Sequence, residues 1–229
     1  MTNIILKEYI DVLNSNEIVD SIYRRQISSN VEIAKDWRKK FSITDKIIVD
    51  KFSYKYFFIK DENGRYIGIV MDMGFDLYWY VLKEFRNKGY MSKALKESII
   101  PYFFNKENRS SLTISIDRIH LKKECYKSSK NMALNLGFKL IKGNRKYFEL
   151  MKSDFNFDNN KLSEQNSMVS NKRLNELREE VFYAHKILSK VSDELLMAYG
   201  DDSALAEISE YVKEYKDIIK EKYIIWNEE

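Results

Sequence analysis

A short apolar stretch that leads through a glycine turn into an amphipathic helix constrains this chain more than any other feature. Residues 77–82 (LYWYVL) form a continuous apolar run, long enough for a buried strand and too short for a helix. Apolar residues then recur at helical spacing from Met91 to Phe103. The polar residues in between must therefore turn the chain from a strand directly into the start of a helix.

That turn, Arg86-Asn87-Lys88-Gly89, has the composition of an anion-binding site. The first N–H groups of a helix have no intrahelical partner and lie at the positive end of its dipole. Gly89 lets the backbone approach a phosphate closely, and Arg86 and Lys88 add positive charge. The same residues also suit an ordinary surface turn, so the surrounding sequence has to decide between the two.

The turn and its flanks resemble the acyl-CoA signature of the GCN5-related N-acetyltransferase (GNAT) superfamily. That signature is Val-x-Pro-x-x-Arg/Gln-x-x-Gly-x-Gly/Ala, and Val81, Arg86 and Gly89 match it. Lys83 occupies the usual Pro position, and Met91 the usual Gly/Ala position. The continuation Gly-Tyr-Met-x-x-Ala-Leu is most similar to the branch that acetylates the N-termini of ribosomal proteins.

A second match follows 48 residues after Gly89, at Gly137. The segment Ser129-x-x-x-Ala133-x-x-Leu136-Gly137-Phe138 resembles a later helix of the same superfamily, in which Gly ends the helix and Phe begins the next strand. The resemblance covers roughly residues 1–153. It implies an α/β fold with a mixed, mainly antiparallel sheet flanked by helices.

The hydrophobic pattern predicts elements in the order β-α-β-β-β-α-β-α-β for this part. An Asn-Gly hairpin signal stands at Asp61–Gly64. Pro101 is expected to kink or shorten the helix that follows the anion-site turn. The predicted elements are an edge strand over 3–10, one or two helices over 15–40 (with Ile18, Ile22, Ile33 and Trp37 as apolar points), strands over 55–60, 65–73, 77–82 and 112–117, a helix over 122–136 and a strand over 147–151.

The C-terminal part has a different pattern. Residues 153–171 are rich in Asn and Ser and predict a linker between a domain over 1–152 and a helical region over 172–229. A Gly200–Ser203 stop separates two helices, which predicts a helical hairpin or coiled coil. We expect residues 172–226 to mediate self-association or docking to a protein partner, unless they form only a local cap. The first helix has an apolar heptad pattern at Leu174, Leu177, Val181, Ala184, Leu188, Val191, Leu195 and Ala198.

Charge and composition narrow the function classes. Residues 1–153 carry 29 Lys and Arg against 18 Asp and Glu, whereas residues 154–229 carry 10 against 17. The basic part suits a polyanionic ligand such as coenzyme A, or nucleic acid, although a lysine-rich surface explains it equally well. A single cysteine, Cys125, suits a reducing compartment, and no run approaches the length of a membrane span. We therefore expect a cytoplasmic protein without a membrane segment, and no His/Cys cluster indicates a metal.

The resemblance implies acetyl-CoA as the acyl donor. The strand end would pair its backbone with the pantetheine arm, and the amides of the turn and helix start would hold the pyrophosphate, with Arg86 and Lys88 adding charge. The cofactor-binding residues implied in this way are Tyr80, Val81, Leu82, Arg86, Asn87, Lys88, Gly89, Tyr90, Met91 and Ser92.

The resemblance identifies the catalytic residues less clearly than it identifies the cofactor-binding residues. Many members have a tyrosine acid at the position of Ala133, which cannot donate a proton. Ser129 and Tyr126 are the candidate acids in its place, although a capping serine and a half-buried tyrosine explain them as well. Asp76 is the candidate base, while Asp72 and Asp117 could equally be solvated.

Two functions remain open at this point. One is an N-acetyltransferase acting on an amine of a protein, peptide or small molecule. The other is a GNAT-fold scaffold that binds coenzyme A weakly or not at all and acts through its C-terminal helices.

Overall fold

The computed structural model describes residues 3–15, 22–36, 54–74, 76–119, 123–157 and 169–228. The chain divides into two compact units, Met1–Gln165 and Asn166–Glu229. The first unit is a mixed α/β structure with a five-stranded antiparallel sheet flanked by helices, and the second is a pair of helices. This is the predicted fold class. No helix of the described ranges combines the length and apolar character needed to cross a bilayer.

The chain begins with a helix, α1 (Asn3–Asn14), where an edge strand was predicted. Leu6, Tyr9, Ile10 and Leu13 recur at helical spacing, and the first three are buried. Ile4, which helped suggest a strand, is instead 68% exposed. The strand prediction over residues 3–10 is therefore wrong, because one face of this segment carries the apolar contacts.

A hairpin follows where one or two helices were predicted. Strand β1 (Ile22–Ser28) pairs antiparallel with β2 (Val31–Asp36), so that Ile22 and Ile33 lie on strands. The prediction of helix over 15–40 is wrong for these residues, and Ile18 and Trp37 fall outside the described residues. The apolar points were too widely spaced to define a continuous helical face.

The sheet continues as predicted with β3 (Lys55–Lys60), β4 (Tyr66–Asp72) and β5 (Leu77–Val81), in the order β1-β2-β3-β4-β5. The predicted turn joins β3 to β4, with Gly64 at φ 79° and its N–H donating to the carbonyl of Asp61. Strand β3 alternates between two hydrophobic clusters, because Phe57 faces one and Phe58 the other. Helix α1 covers the second cluster.

A helical segment covers the first cluster. It comprises α2 (Tyr90–Ala94), a π-helical turn (Leu95–Ile99) and α3 (Ile100–Asn105). Pro101 has no N–H to donate, and the wider turn immediately before it accommodates this without ending the segment. The predicted irregularity at Pro101 is thus present, and it leaves the start of α2 intact.

A smaller three-stranded sheet completes the first unit. Strand β6 (Ser111–Ser115) is followed by α4 (Lys123–Asn135), β7 (Lys139–Leu140) and β8 (Tyr147–Met151), in the order β6-β8-β7. Gly137 ends α4 at φ 95°. Its N–H donates to the carbonyl of Leu134, and the N–H of Phe138 donates to that of Ala133, which together form a Schellman motif. This confirms the predicted helix stop.

The segment assigned to the linker begins as part of the first unit. Phe155 is buried, and its ring lies 5.7 Å from that of Phe104 and 4.9 Å from that of Phe157. At its other end, Asn171 is already helical and Ser170 caps the helix by accepting from the N–H of Arg173.

The second unit consists of α5 (Asn171–Tyr199) and α6 (Leu205–Glu228). The predicted stop is present, since Gly200 at φ 71° ends α5 and a side-chain oxygen of Asp202 accepts from the N–H of Ala206 at the start of α6. The helices pack antiparallel through a seam in which apolar and polar positions alternate. The seam comprises Leu174, Arg178, Val181, His185, Leu188, Ser192 and Leu195 on α5, and Leu205, Ser209, Val212, Lys216, Ile219 and Tyr223 on α6.

Candidate functional site

The backbone of the anion-site turn has the left-handed conformation that the glycine in its sequence predicted. After β5 the chain makes a 3₁₀ turn (Lys83–Phe85), and then Asn87 and Gly89 both adopt left-handed conformations, at φ 59° and φ 83°. Gly89 is the N-cap of α2 and offers no side chain to the first N–H groups of the helix. Those donors are therefore available to an external acceptor.

Gly89 is required by its backbone conformation and not by crowding. A Cβ added to it would meet nothing within 4 Å. Gly89 is also exposed, so the space beside it is open to solvent. This open, uncapped start fits the pyrophosphate of coenzyme A.

Arg86 lies back along the strand rather than in front of the helix. Its Nε donates to the carbonyl of Val81 at 3.0 Å, and its guanidinium lies 5.5 Å from the centre of the Tyr80 ring. Lys88 is placed similarly, with Nζ 5.2 Å from the centre of the Phe85 ring. Arg86 thus contacts two of the residues predicted to meet the pantetheine arm.

Tyr90 anchors the start of α2 to the β3–β4 turn. Its hydroxyl donates to Oε2 of Glu62 at 2.9 Å, and this hydrogen bond raises the pKa of Tyr90 above its usual value. The bond joins residues 28 positions apart and fixes the helix start against the first sheet. It also places a carboxylate close to the candidate anion site, which an incoming phosphate would have to tolerate.

The strand that precedes the turn is an edge of its sheet. Within the described ranges β5 pairs only with β4, and β6 belongs to the second sheet. The edge of β5 therefore carries backbone groups that an extended chain can pair with. Tyr80 and Val81 are half-buried there, and Leu82 is buried.

Asp76 joins the two sheets. Its Oδ1 accepts from the N–H of Ser115 at 2.7 Å, and its Oδ2 accepts from the Ser115 hydroxyl. Burial raises the pKa of the Asp76 carboxyl, while the bonds from Ser115 act in the opposite direction. Both oxygens of this predicted base are consequently engaged by one residue at the end of β6.

The two candidate acids lie on one side of α4. Tyr126 and Ser129 are three residues apart and half-buried, and Tyr126 packs against the first hydrophobic cluster with the guanidinium of Arg118 5.0 Å from its ring centre. Within the part of the chain that is described, neither hydroxyl makes a hydrogen bond. Ala133, one turn later, is completely buried.

Two polar pairs near these elements were not identified as pairs from the sequence. Ser115 lies 39 positions from Asp76, and Arg109 lies 37 positions from Asp72. Nη1 of Arg109 donates to Oδ1 of Asp72 at 3.1 Å, so that Asp72 is a buried ion-pair partner rather than a solvated carboxylate. Asp117 closes a local turn by accepting from the N–H of Ile119. An acidic residue at the end of a buried strand was the available signal, but it does not reveal its partner.

Two surface grooves occur in the second unit. One lies along α5 at His185, Ser189 and Met197, and another at Arg173, Glu176 and Tyr183. Neither contains a residue predicted to bind coenzyme A. In the described ranges no three His, Cys, Asp or Glu side chains form a group that could hold a metal ion.

No model of a known protein family matches this chain, and no curated protein is significantly similar to it in sequence. Several solved structures do resemble it. A chimera of the spermidine N-acetyltransferase SpeG from Vibrio cholerae is 14% identical with a TM-score of 0.36, over 44% of this chain and 68% of that one. A GNAT-family acetyltransferase from Bacillus anthracis is also 14% identical, with a TM-score of 0.33 over 43% and 66% of the two chains. An acetyltransferase from Agrobacterium tumefaciens strain C58 is 11% identical, with a TM-score of 0.38 over 60% and 99%.

All three of these proteins are acetyltransferases by name. The identities and TM-scores are too low for the likeness to carry an argument about this chain, so the geometry of its own turn has to do so.

Proposed function

We propose that this chain is a GNAT-type N-acetyltransferase that transfers an acetyl group from acetyl-CoA to an amine of a protein, peptide or small molecule. The observation that carries the proposal is the start of α2, where left-handed Gly89 leaves the helix uncapped and open directly after the edge strand β5. Within the superfamily, the residues Gly89 to Leu95 are most similar to the branch that acetylates ribosomal-protein N-termini. The acceptor amine is left open by this proposal.

The N–H groups from Asn87 to Ser92 would hold the pyrophosphate of acetyl-CoA. Arg86 exchanges the carbonyl of Val81 for a phosphate oxygen, because an ionised acceptor forms the stronger bond. That exchange frees the Val81 carbonyl at the strand edge. The backbone of Tyr80, Val81 and Leu82 would hold the pantetheine arm as an added strand.

Transfer requires a bond from the amine nitrogen to the acetyl carbon, cleavage of the carbon–sulfur bond, and a proton for the departing thiolate. Tyr126 or Ser129 supplies that proton, since neither hydroxyl on this side of α4 bonds to another of the described residues. The amine has to lose its proton to a base. Asp76 fills that role only if it releases Ser115, and otherwise water accepts the proton.

Calorimetric titration with acetyl-CoA tests the proposal. The full chain should bind acetyl-CoA, and Gly89→Glu should abolish binding because a carboxylate then occupies the phosphate position. Gly143→Glu is the matched control. Gly143 also has a left-handed conformation, at φ 81°, and open space around its Cβ position, so that variant bears the same backbone strain away from the helix start.

The alternative function is a GNAT-fold scaffold, and one observation favours it. Ala133 is completely buried at the position where many members of the superfamily have a tyrosine acid. Heat from wild type and Gly143→Glu but not from Gly89→Glu supports the enzyme proposal. No heat from the wild-type chain overturns it and leaves the scaffold.

A further inference from the structure

The second unit exposes a row of large apolar side chains on each of its helices. On α5 these include Ile187 and Val191, and on α6 they include Ile208, Tyr211, Tyr215 and Ile218. Their exposed fractions range from 38% to 70%. Isolated exposed apolar residues are common on protein surfaces, but contiguous rows are not. We name these six residues the apolar face.

The two rows lie on the same side of the helical pair. On each helix the apolar seam positions recur every seven residues, and the apolar face lies three and six residues after them, as Tyr215 and Ile218 do after Val212. The polar seam positions lie four residues after the apolar seam positions, which places them on the flank away from the apolar face. Because the helices are antiparallel and share the same spacing, equal offsets fall on one common side.

The ion pairs between the helices confirm which side is which. Nη2 of Arg178 lies 2.9 Å from Oδ1 of Asp217, and Nζ of Lys216 lies 2.9 Å from Oε1 of Glu179. Asp217 and Glu179 are each five residues after an apolar seam position, on the flank opposite the apolar face. One side of the pair is therefore closed by ion pairs, and the other side carries the apolar face, with Glu180, Glu194 and Lys222 at other positions of the same offsets.

The size of the apolar face is that of an interface. Six side chains of this kind expose on the order of 600 Å² at these fractions, which is the size of the largest apolar patch on a typical monomer, and such patches are often functional. A stable interface of standard size takes about 800 Å² from each partner, with a polar rim included. The apolar face alone supplies roughly three quarters of that area.

We infer that the apolar face is the contact between two copies of this chain, which pair their helices into a four-helix bundle. The face is two helices wide. A single helix from another protein would fill the groove between α5 and α6 but would leave the outer positions Ile187, Tyr211 and Ile218 in water. A second copy of the same two-helix surface covers all of them. Four-helix bundles bury apolar rows of this spacing in their centre.

Sedimentation velocity of the full chain over a concentration series tests the inference. Wild type should be a dimer. Ile208→Glu and Tyr215→Glu should each raise the dissociation constant by roughly 100-fold or more, since a charge is buried once in each copy. Circular dichroism should show unchanged helix content, because both residues are more than half exposed in the single chain.

Ile224→Glu is the matched control. Ile224 is 48% exposed on the same helix, but it lies seven residues after Asp217 and therefore on the flank with the ion pairs. That variant should remain a dimer. A monomeric wild type, dimers that survive in both Ile208→Glu and Tyr215→Glu, or equal dissociation by Ile224→Glu would each overturn the inference. None of these results depends on acetyl-CoA binding.

Discussion

Turnover should depend on the hydroxyl groups of Tyr126 and Ser129. If either protonates the departing thiolate, Tyr126→Phe or Ser129→Ala should lower kcat by roughly 10²–10⁴-fold. Acetyl-CoA affinity should change little, because neither residue belongs to the turn or the strand edge. Steady-state kinetics beside calorimetry separates the two effects. Wild-type kcat in both variants would remove them from the mechanism.

Asp76 should make the stability of the chain depend on pH. Its pKa is raised by burial, so the native state holds this proton more tightly than the unfolded chain does. The stability that it contributes is present below the unfolded pKa of about 4, and it is lost as pH rises through the folded pKa. Asp76→Asn cannot titrate and should lack this loss.

Thermal melts of wild type and Asp76→Asn across the acid range measure this effect as a difference. The melting temperature of wild type should fall relative to that of the variant as pH rises. Parallel profiles would mean that Ser115 compensates the burial of the charge fully.

Residue identities and spacing in the turn could be predicted, whereas side-chain placement could not. Gly89 was expected to need a left-handed backbone, because the turn had to connect a strand directly to a helix. Arg86 was expected to add charge to the anion site, but the placement of its side chain on Val81 and Tyr80 could not be foreseen. Long flexible side chains have many rotamers, and their choice depends on neighbours that only the fold supplies.

At the scale of elements, Gly137 is the most constrained stop in the first unit. An added Cβ would lie 3.2 Å from Cδ1 of Leu150, and φ is 95°. Gly137→Ala should therefore lower the free energy of unfolding by about 1–3 kcal/mol. Gly143→Ala has a similar φ and no such neighbour, so it should cost less. Urea denaturation followed by tryptophan fluorescence compares the two, and an equal loss would show that Leu150 moves aside freely.

The first 40 residues show where element prediction fails. Strand β1 has exposed residues at Tyr23, Arg24 and Arg25, so its apolar residues do not alternate strictly. Helix α1 begins with two adjacent isoleucines that suggest a strand, although its contacts come from later positions. From residue 55 onward the longer strands are short apolar runs bounded by turn residues, and they could be located from the sequence. The two-residue strand β7 was not located by such a run, and only the helix-stop motif indicated a strand after Gly137.

The apolar heptad pattern of α5 identified only half of the residues that form the seam with α6. The positions every seven residues from Leu174 to Leu195 do belong to the seam, but Val191 and Ala198 are exposed. The other half of the seam is polar, with His185 and Ser192 facing α6. A search for apolar spacing alone misses this polar half of the seam, and it also selects Val191, which belongs to the apolar face.

For the whole molecule, the division into two units predicts that each function survives separation. A chain ending at Gln165 should bind acetyl-CoA as the full chain does and should be monomeric, since the turn and α4 lie before that point and the apolar face lies after it. A chain ending at Lys152 should bind with the same sites but melt at a lower temperature, because it loses Phe155 from beside Phe104. Light scattering, calorimetry and thermal melts distinguish these results. Loss of acetyl-CoA binding in the chain ending at Gln165 would show that the helices contribute to the site.

The alternating seam of the second unit also decides how its helices can be misaligned. Sliding α6 along α5 by one heptad would keep aliphatic positions opposite aliphatic positions. Hydrophobic contacts alone therefore do not distinguish the shifted register from the native one. The shift would, however, set His185 against Lys216 and separate Arg178 from Asp217. The aliphatic residues thus stabilise the helical pair, and the polar residues specify its register. Only one alignment of the two helices satisfies both sets of contacts. Replacing His185 and Ser209 together by leucine should raise the melting temperature of the hairpin but remove one of the polar contacts that fix the alignment, leaving the Arg178–Asp217 pair to do so.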